Sequence, residues 1–370
     1  MKAARFHAAS TILIETIPEP PPPNPDEVTI DVHWGGICGT DLHEYICGPM
    51  VINPPERPHA LTHGHLPVTL GHEFCGRISQ LPEDNTSNLT LKVGQAVMVD
   101  PRINCTTCTA CKSGNSNLCL NWGFIGLNGG GGGGAGFSEK VNVSSRMVHV
   151  LPESVDLNDA VLIEPLAVAR HALSAACIDD FSGLSVLVVG GGPVGLAVLY
   201  NLRAKGVGQV FVSEPTARRA GMVRDLGLAE EVFNPLICSV PEECCSRTDG
   251  EGVDVVFDCA GIPVGLKAGM DSLRVKGTYV NVAGWEAPLT IPLQFAMMKE
   301  ITVKFSMAYD DKDFKEVVAD FAAGKFAGAG KMITARIALD DLAVKGFDEL
   351  ITKKDEHVKI VATPRAELLS

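Results

Sequence analysis

Four cysteines, Cys105, Cys108, Cys111 and Cys119, fall within fifteen residues of one another. Their spacing, C-x2-C-x2-C-x7-C, offers four thiolates to a tetrahedral zinc ion and leaves it no open position, which defines a structural site. An iron–sulfur run of the bacterial type places its fourth cysteine three residues on, followed by proline. Here the fourth lies eight residues on and Leu120 follows it.

A second constellation is glycine-rich. Gly190, Gly192 and Gly195 form G-x-G-x-x-G, with Pro193 and Val194 between the last two. The apolar run SVLVVG precedes it and the helical stretch PVGLAVLYNLRAKG follows, the context in which this motif binds a dinucleotide. The first glycine allows the tight turn, the second lets backbone approach the pyrophosphate, and the third lets helix pack on strand. Free N–H groups at the helix start then face the anion. Glu214 lies nineteen residues after Gly195, at the end of the next apolar run. A carboxylate there accepts hydrogen bonds from the adenine ribose diol and repels a 2′-phosphate, so NAD is expected rather than NADP. Arg218 and Arg219 follow closely enough to soften that discrimination. Arg219 is counted with the site, and otherwise the pair belongs to a solvated helix face.

A third group is dispersed. GGICGTDLHEY holds Cys38, Thr40 and His43; LGHEFCG holds His72 and Glu73; IEPLAVARHAL holds Glu164. Taken singly these are weak signals. HEFCG is not HExxH, so a helical metalloprotease site is excluded.

These residues need elements to hold them. The first 165 residues are β-rich: EVTIDVHW sets Val28, Ile30, Val32 and Trp34 at the two-residue period of a half-buried strand. Proline-rich PEPPPPNP divides this region into short elements. Seven glycines in the eight positions from Gly129 to Gly136 suggest a flexible surface loop. Past Glu164 strands alternate with helices (SVLVVG, QVFVS, TARRAGMVRDLG, VDVVFDC, TYVNVAG), the pattern of a parallel doubly wound sheet. From about Ser306 the alternation weakens to one helix, DDKDFKEVVADFAAG, and a late strand, HVKIVAT. At 370 residues the chain suits two domains. A net charge of −13 argues against a nucleic-acid surface. No run approaches 18 apolar residues and MKAARFHAAS lacks the apolar core of a secretory leader, so no membrane association is expected. Twelve cysteines in such a chain imply reduced thiols and a cytoplasmic setting.

In combination, GICGTDLHEY, PVTLGHEFCG, the four-cysteine lobe, GFIGL with its glycine run and GFSE, EPLAVARHAL, and GGGPVG with SEP after it resemble the zinc-containing medium-chain alcohol and polyol dehydrogenases, nearest the butanediol branch, over nearly the whole chain. The resemblance implies a GroES-like, β-rich catalytic domain over residues 1–166 and 307–370 and an NAD-binding Rossmann domain over 167–306, with the active site in the cleft between them. It also implies one catalytic and one structural zinc, with Cys38, His72 and either Glu73 or Glu164 on the catalytic ion and Thr40 and His43 as the proton relay. A thiolate, an imidazole and a carboxylate leave zinc one open position, where water's pKa falls from about 16 to about 7–9 and an alcohol responds similarly. The implied reaction is NAD-linked oxidation of a secondary alcohol, (R,R)-2,3-butanediol to acetoin and the reverse. The alternatives are a sorbitol-, xylitol- or threonine-type enzyme, or a non-catalytic NAD-binding protein. A homodimer or homotetramer is implied as well. His63 and His65 in THGHLP are expected to be loop residues, and the other cysteines small core or surface thiols.

Overall fold

A computed structural model describes residues 1–83, 90–285, 289–353 and 355–369. The chain forms two compact units. One comprises Met1–Glu164, Phe321–Ala323 and Gly330–Ser370; the other comprises Pro165–Asp320 and Gly324–Ala329.

The first unit is built on a sheet of strands in the order Val148–Val150, Ala96–Val99, Glu73–Gln80, Glu27–Gly36, Lys359–Thr363 and Ile333–Ala338, with Lys140–Ser144 also paired to Glu27–Gly36. A smaller sheet orders Thr11–Thr16, Lys2–Ala8 and Val68–Thr69. Val28, Ile30 and Val32 enter one core with Phe74, Val97, Val99, Val141 and Val143. Trp34 is buried too, its indole N–H donating to Asn158 Oδ1 at 2.9 Å. The opposite face of this strand is less open than its alternation suggests. Thr29 is 4% exposed, and its hydroxyl donates to Asn142 Oδ1 at 2.8 Å. The late strand Lys359–Thr363 lies antiparallel to Glu27–Gly36, pairing Val361 with Gly36 and Ala362 with Gly35. All five of its residues are buried.

The glycine run is not a loose surface loop. Gly129 to Gly133 all have positive φ, between 63° and 94°, backbone that glycine alone enters without strain. Gly134, Ala135 and Gly136 are buried. A Cβ on Gly134 would sit 1.9 Å from the Lys140 carbonyl oxygen. Positive φ at Gly129 to Gly133 and close approach of a neighbouring backbone at Gly134 therefore set the composition here.

The second unit is a six-stranded, wholly parallel sheet among the described residues: Glu231–Phe233, Gln209–Ser213, Ser185–Val189, Val253–Asp258, Leu273–Asn281 and Thr302–Phe305. Numbered along the chain this is the order 3-2-1-4-5-6 of the Rossmann fold. The unit runs on to Asp320, past the return expected at residue 307. The helix Asp311–Ala322 explains this, because it is tied to the helix Ile163–Ala175. Arg170, 1% exposed, donates to Glu316 at 2.9 Å and Asp320 at 2.6 Å, while His171 Nδ1 lies 2.6 Å from Asp313. No helix among the described residues is long and apolar enough to cross a membrane.

The tightest point in this unit is Gly195, where a Cβ would lie 1.9 Å from the Gly190 carbonyl oxygen. Gly195→Ala must push the helix Pro193–Ala204 off the strand before it, a cost of about 1–3 kcal/mol. Urea unfolding is expected to show a lowered midpoint, and a variant as stable as the parent would contradict this packing.

Candidate active site

Cys38 stands where the strand Glu27–Gly36 ends and the helix Gly39–Cys47 begins. Its amide donates to Asp41 Oδ2 at 2.9 Å, so the helix start fixes the thiol. Thr40 and His43 are one turn apart on that helix and share a face. The Thr40 hydroxyl oxygen is 3.8 Å from Cys38 Sγ. His72 precedes the strand Glu73–Gln80, following a turn at Gly71 with φ +96°. Buried Asp41 faces it, with Oδ1 3.5 Å from His72 Nδ1. Burial pushes the His72 pKa down, but the charges on Asp41 and Cys38 outweigh burial and hold it well above the usual range.

Candidate ligand atoms on Cys38, His72 and Glu73 lie within 4.8 Å of one another. Glu164, buried in the first turn of the helix Ile163–Ala175, is not part of that group. Glu73 is held from behind by Lys359, whose Nζ donates to both carboxylate oxygens, at 2.8 and 2.7 Å, and to the Ile37 carbonyl at 3.0 Å. Each side chain of the pair is 2% exposed. Burial lowers the Lys359 pKa, but the charges of Glu73, Cys38 and Glu164 leave it raised. Gly36 makes room for the pair: a Cβ there would be 2.2 Å from Glu73 Oε2. A carboxylate has about four lone-pair positions, so a lysine on one side leaves capacity for a cation on the other. Two participants, Asp41 and Lys359, were not among the residues the motifs singled out. Lys359 did carry a signal, as the one charge inside the apolar run VKIVA.

The second cluster is the cysteine lobe. Cys119 Sγ lies 3.5 Å from Cys105 Sγ and 4.0 Å from Cys108 Sγ, and all four sulfurs fall within 4.8 Å of one another. Zn–S bonds of about 2.3 Å at tetrahedral angles require sulfurs about 3.8 Å apart, so the group fits zinc. Amides of Thr107 and Cys108 pull the Cys105 thiol down to about 6. Desolvation among its neighbours pushes Cys111 up to about 12.

In the second unit Gly190 turns with φ +98° and Gly192 caps the helix Pro193–Ala204, with Pro193 at its first position and Val194 next. Glu214 is buried at 3% exposure, not solvated. Its Oε2 accepts from the Gly191 amide and its Oε1 from the Thr216 amide, both at 2.7 Å. Arg218 is exposed, whereas Arg219 is half-buried and leans towards Gly192. His63 and His65 are exposed loop residues. All twelve cysteines are unpaired.

A Rossmann unit with a glycine-rich turn, and a second unit gathering thiolate, imidazole and carboxylate, define a metal-dependent dehydrogenase. The chain matches the alcohol dehydrogenase GroES-like domain over residues 24–153 and the zinc-binding dehydrogenase family over 193–323. It is 38% identical to an (R,R)-butanediol dehydrogenase of Neisseria gonorrhoeae over 98% of this chain and 99% of that one. It is 39% identical to that of Bacillus subtilis over 98% and 100%. The crystal structure of 2R,3R-butanediol dehydrogenase from Bacillus subtilis superposes with a TM-score of 0.88 at 38% identity, covering 98% of this chain and 99% of that one. The chain belongs to the zinc-binding, GroES-like alcohol dehydrogenase family and is a zinc-dependent alcohol dehydrogenase working with NAD(P).

Removing one partner of a buried ion pair strands the other, at about 3–5 kcal/mol. Lys359→Met in metal-free protein is therefore expected to lose about that much in urea unfolding, and adding Glu73→Gln to restore most of it. A Lys359→Met protein with the parent's midpoint would show that the pair does not hold the site.

Proposed function

We propose that the protein interconverts (R,R)-2,3-butanediol and acetoin, with NAD as hydride acceptor and two zinc ions per chain. The grouping of Cys38, His72 and Glu73 carries this reading. One thiolate, one imidazole and one carboxylate are the donor set of a zinc that keeps a position for substrate, and the identity to butanediol dehydrogenases over nearly the whole chain supports the substrate. Zinc held there supplies Lewis acidity that lowers the pKa of an alcohol hydroxyl, and NAD takes up the hydride.

The protein's own residues do the rest. Cys38, His72 and Glu73 hold the catalytic ion, and Lys359 fixes Glu73, as outer partners of metal ligands do. Cys105, Cys108, Cys111 and Cys119 hold the structural ion. The Thr40 hydroxyl relays the alcohol's proton, and His43, one turn away, passes it to solvent. Glu164, outside the ligand group, accepts a hydrogen bond from the second hydroxyl of a vicinal diol. Glu214 accepts from the ribose diol and makes NAD the better cofactor, and Arg219 sits beside the turn that takes the pyrophosphate. The residues around the sites divide as catalytic unit and coenzyme unit. The twelve unpaired thiols support a cytoplasmic setting.

The assembly is a homodimer or a tetramer built from it. Thr302–Phe305 is the edge strand of the parallel sheet, paired on one side to Leu273–Asn281, and Phe305 in it and Leu293, Met297 and Met298 in the helix before it are each at least 68% exposed. An apolar sheet edge of that kind suits a second copy.

Elemental analysis is expected to find about two zinc ions per chain, and Cys108→Ser to lose one of them together with stability, since structural zinc contributes folding energy directly. Iron, or no metal, would contradict the assignment. In a substrate panel (R,R)-2,3-butanediol is expected to lead in kcat/KM, with 2-butanol, which lacks the second hydroxyl, poorer by up to about 10⁴-fold. If sorbitol or threonine exceeds every four-carbon diol, the butanediol assignment fails and the dehydrogenase class alone remains.

A further inference from the structure

Two motifs take no part in that reaction: the loop Thr62-His63-Gly64-His65 and the glycine run. They meet in the first unit, where with Arg5, Pro67 and Thr69 they wall a cavity of about 480 Å³. The loop is docked on the run at Gly64 and Gly129, since a Cβ on either would lie 2.6 Å from the other's Cα. The Thr62 hydroxyl ties them further, donating to the Asn128 carbonyl and accepting from the Gly64 amide at 3.1 Å.

We propose that this cavity binds a phosphate group, carried on a small monoester or free. The Arg5 guanidinium is fixed at the wall, donating from Nη1 to Thr69 Oγ1 at 3.2 Å and from Nη2 to the Pro67 carbonyl. Glu15 steadies it from the other end, 3.8 Å from Nε, and shares its carboxylate with His7 at 2.8 Å. Each Nη carries a second N–H, which among the described residues has no partner, and that planar fork suits paired phosphate oxygens.

The left-handed backbone of Gly129, Gly130, Gly132 and Gly133 walls the same cavity. Space alone does not demand glycine throughout: a Cβ on Gly133 would meet nothing within 4 Å. Backbone direction does. The amides of Gly129, Gly130 and Gly132 donate to no described residue, and successive amides in such a turn form an anion-binding concavity. His63 and His65 flank Gly64 at the rim. The His65 Nδ1–H is committed to the Leu66 carbonyl at 2.7 Å. Among the described residues no Asp or Glu lines the cavity, in a chain whose net charge is −13. The volume exceeds that of a lone phosphate, so a short organic body fits with it.

The test uses full-length zinc-loaded protein saturated with NADH, so that the dinucleotide site is already filled. It is titrated calorimetrically with inorganic phosphate or glycerol 3-phosphate, against sodium chloride at equal ionic strength. One saturable site per chain is expected. Tighter binding of the monoester identifies an esterified ligand, and equal or tighter binding of inorganic phosphate identifies the free ion. Arg5→Met is expected to weaken both by about 10- to 100-fold, the worth of a charge-assisted hydrogen bond. His63→Ala, at an exposed position, is expected to weaken both as well. Absence of saturable binding in the parent, or affinity unchanged in His63→Ala and in a folded Arg5→Met, overturns the proposal.

Discussion

The buried ion pair between Lys359 and Glu73 is the constraint around which the first unit is arranged. Its partners are 286 positions apart in the chain. It can form only if the last strand lies beside the end of the strand Glu27–Gly36, if Gly36 leaves the space free, and if Glu73 starts its own strand on the other side. A lysine buried without a counter-charge would cost several kcal/mol, and so would a carboxylate. Mutual need therefore fixes the register of three strands at the point where the chain gathers its metal ligands. Such a pair contributes little net stability compared with apolar residues of the same shape; what it supplies here is a fixed carboxylate.

The same economy of parts recurs around Cys38. One helix start places the thiol, and Asp41 in its first turn accepts the Cys38 amide with one oxygen while facing His72 with the other. Thr40 leaves from the same turn and His43 from the next. A metal ion at this site would therefore meet ligands whose positions are set by buried charges rather than by mobile loops, the condition under which a site is preorganised. The cysteine lobe works differently. Its short segment has little core of its own, and four mutually close sulfurs organise it, with backbone amides pointing at Cys105 and Cys119.

Much of this was legible in the sequence, for reasons that differ from residue to residue. The parallel sheet could be read because its strands are continuous apolar runs separated by helical periods. The glycine-rich turn could be read because glycine is required there by φ and by close approach. Cys105, Cys108, Cys111 and Cys119 announced themselves by density. Lys359 showed only as a charge in an apolar run and Asp41 not at all, because the contacts of Lys359 with Glu73 and of Asp41 with His72 join residues hundreds or tens of positions apart. The choice between Glu73 and Glu164 was open for the same reason: both sit in apolar surroundings, and only the fold brings one of them, and not the other, within 4.8 Å of Cys38 and His72. The glycine run was only partly legible, because a composition typical of loose loops here serves left-handed backbone at Gly129 to Gly133 and tight packing at Gly134. The extent of the second unit was also hidden, since Arg170 and His171 reach across to Asp313, Glu316 and Asp320 through side chains alone.

The central claim is that Glu73 serves two cations at once, Lys359 on one side and the catalytic metal on the other, while Glu164 stays out of the ligand set. A high-resolution crystal structure of the zinc-loaded protein tests it most directly. The account predicts a Glu73 oxygen at zinc-ligand distance, about 2.0–2.2 Å, with Lys359 Nζ still hydrogen-bonded to that carboxylate and Glu164 beyond coordination. A structure with Glu164 on the zinc and Glu73 paired to Lys359 alone would contradict it.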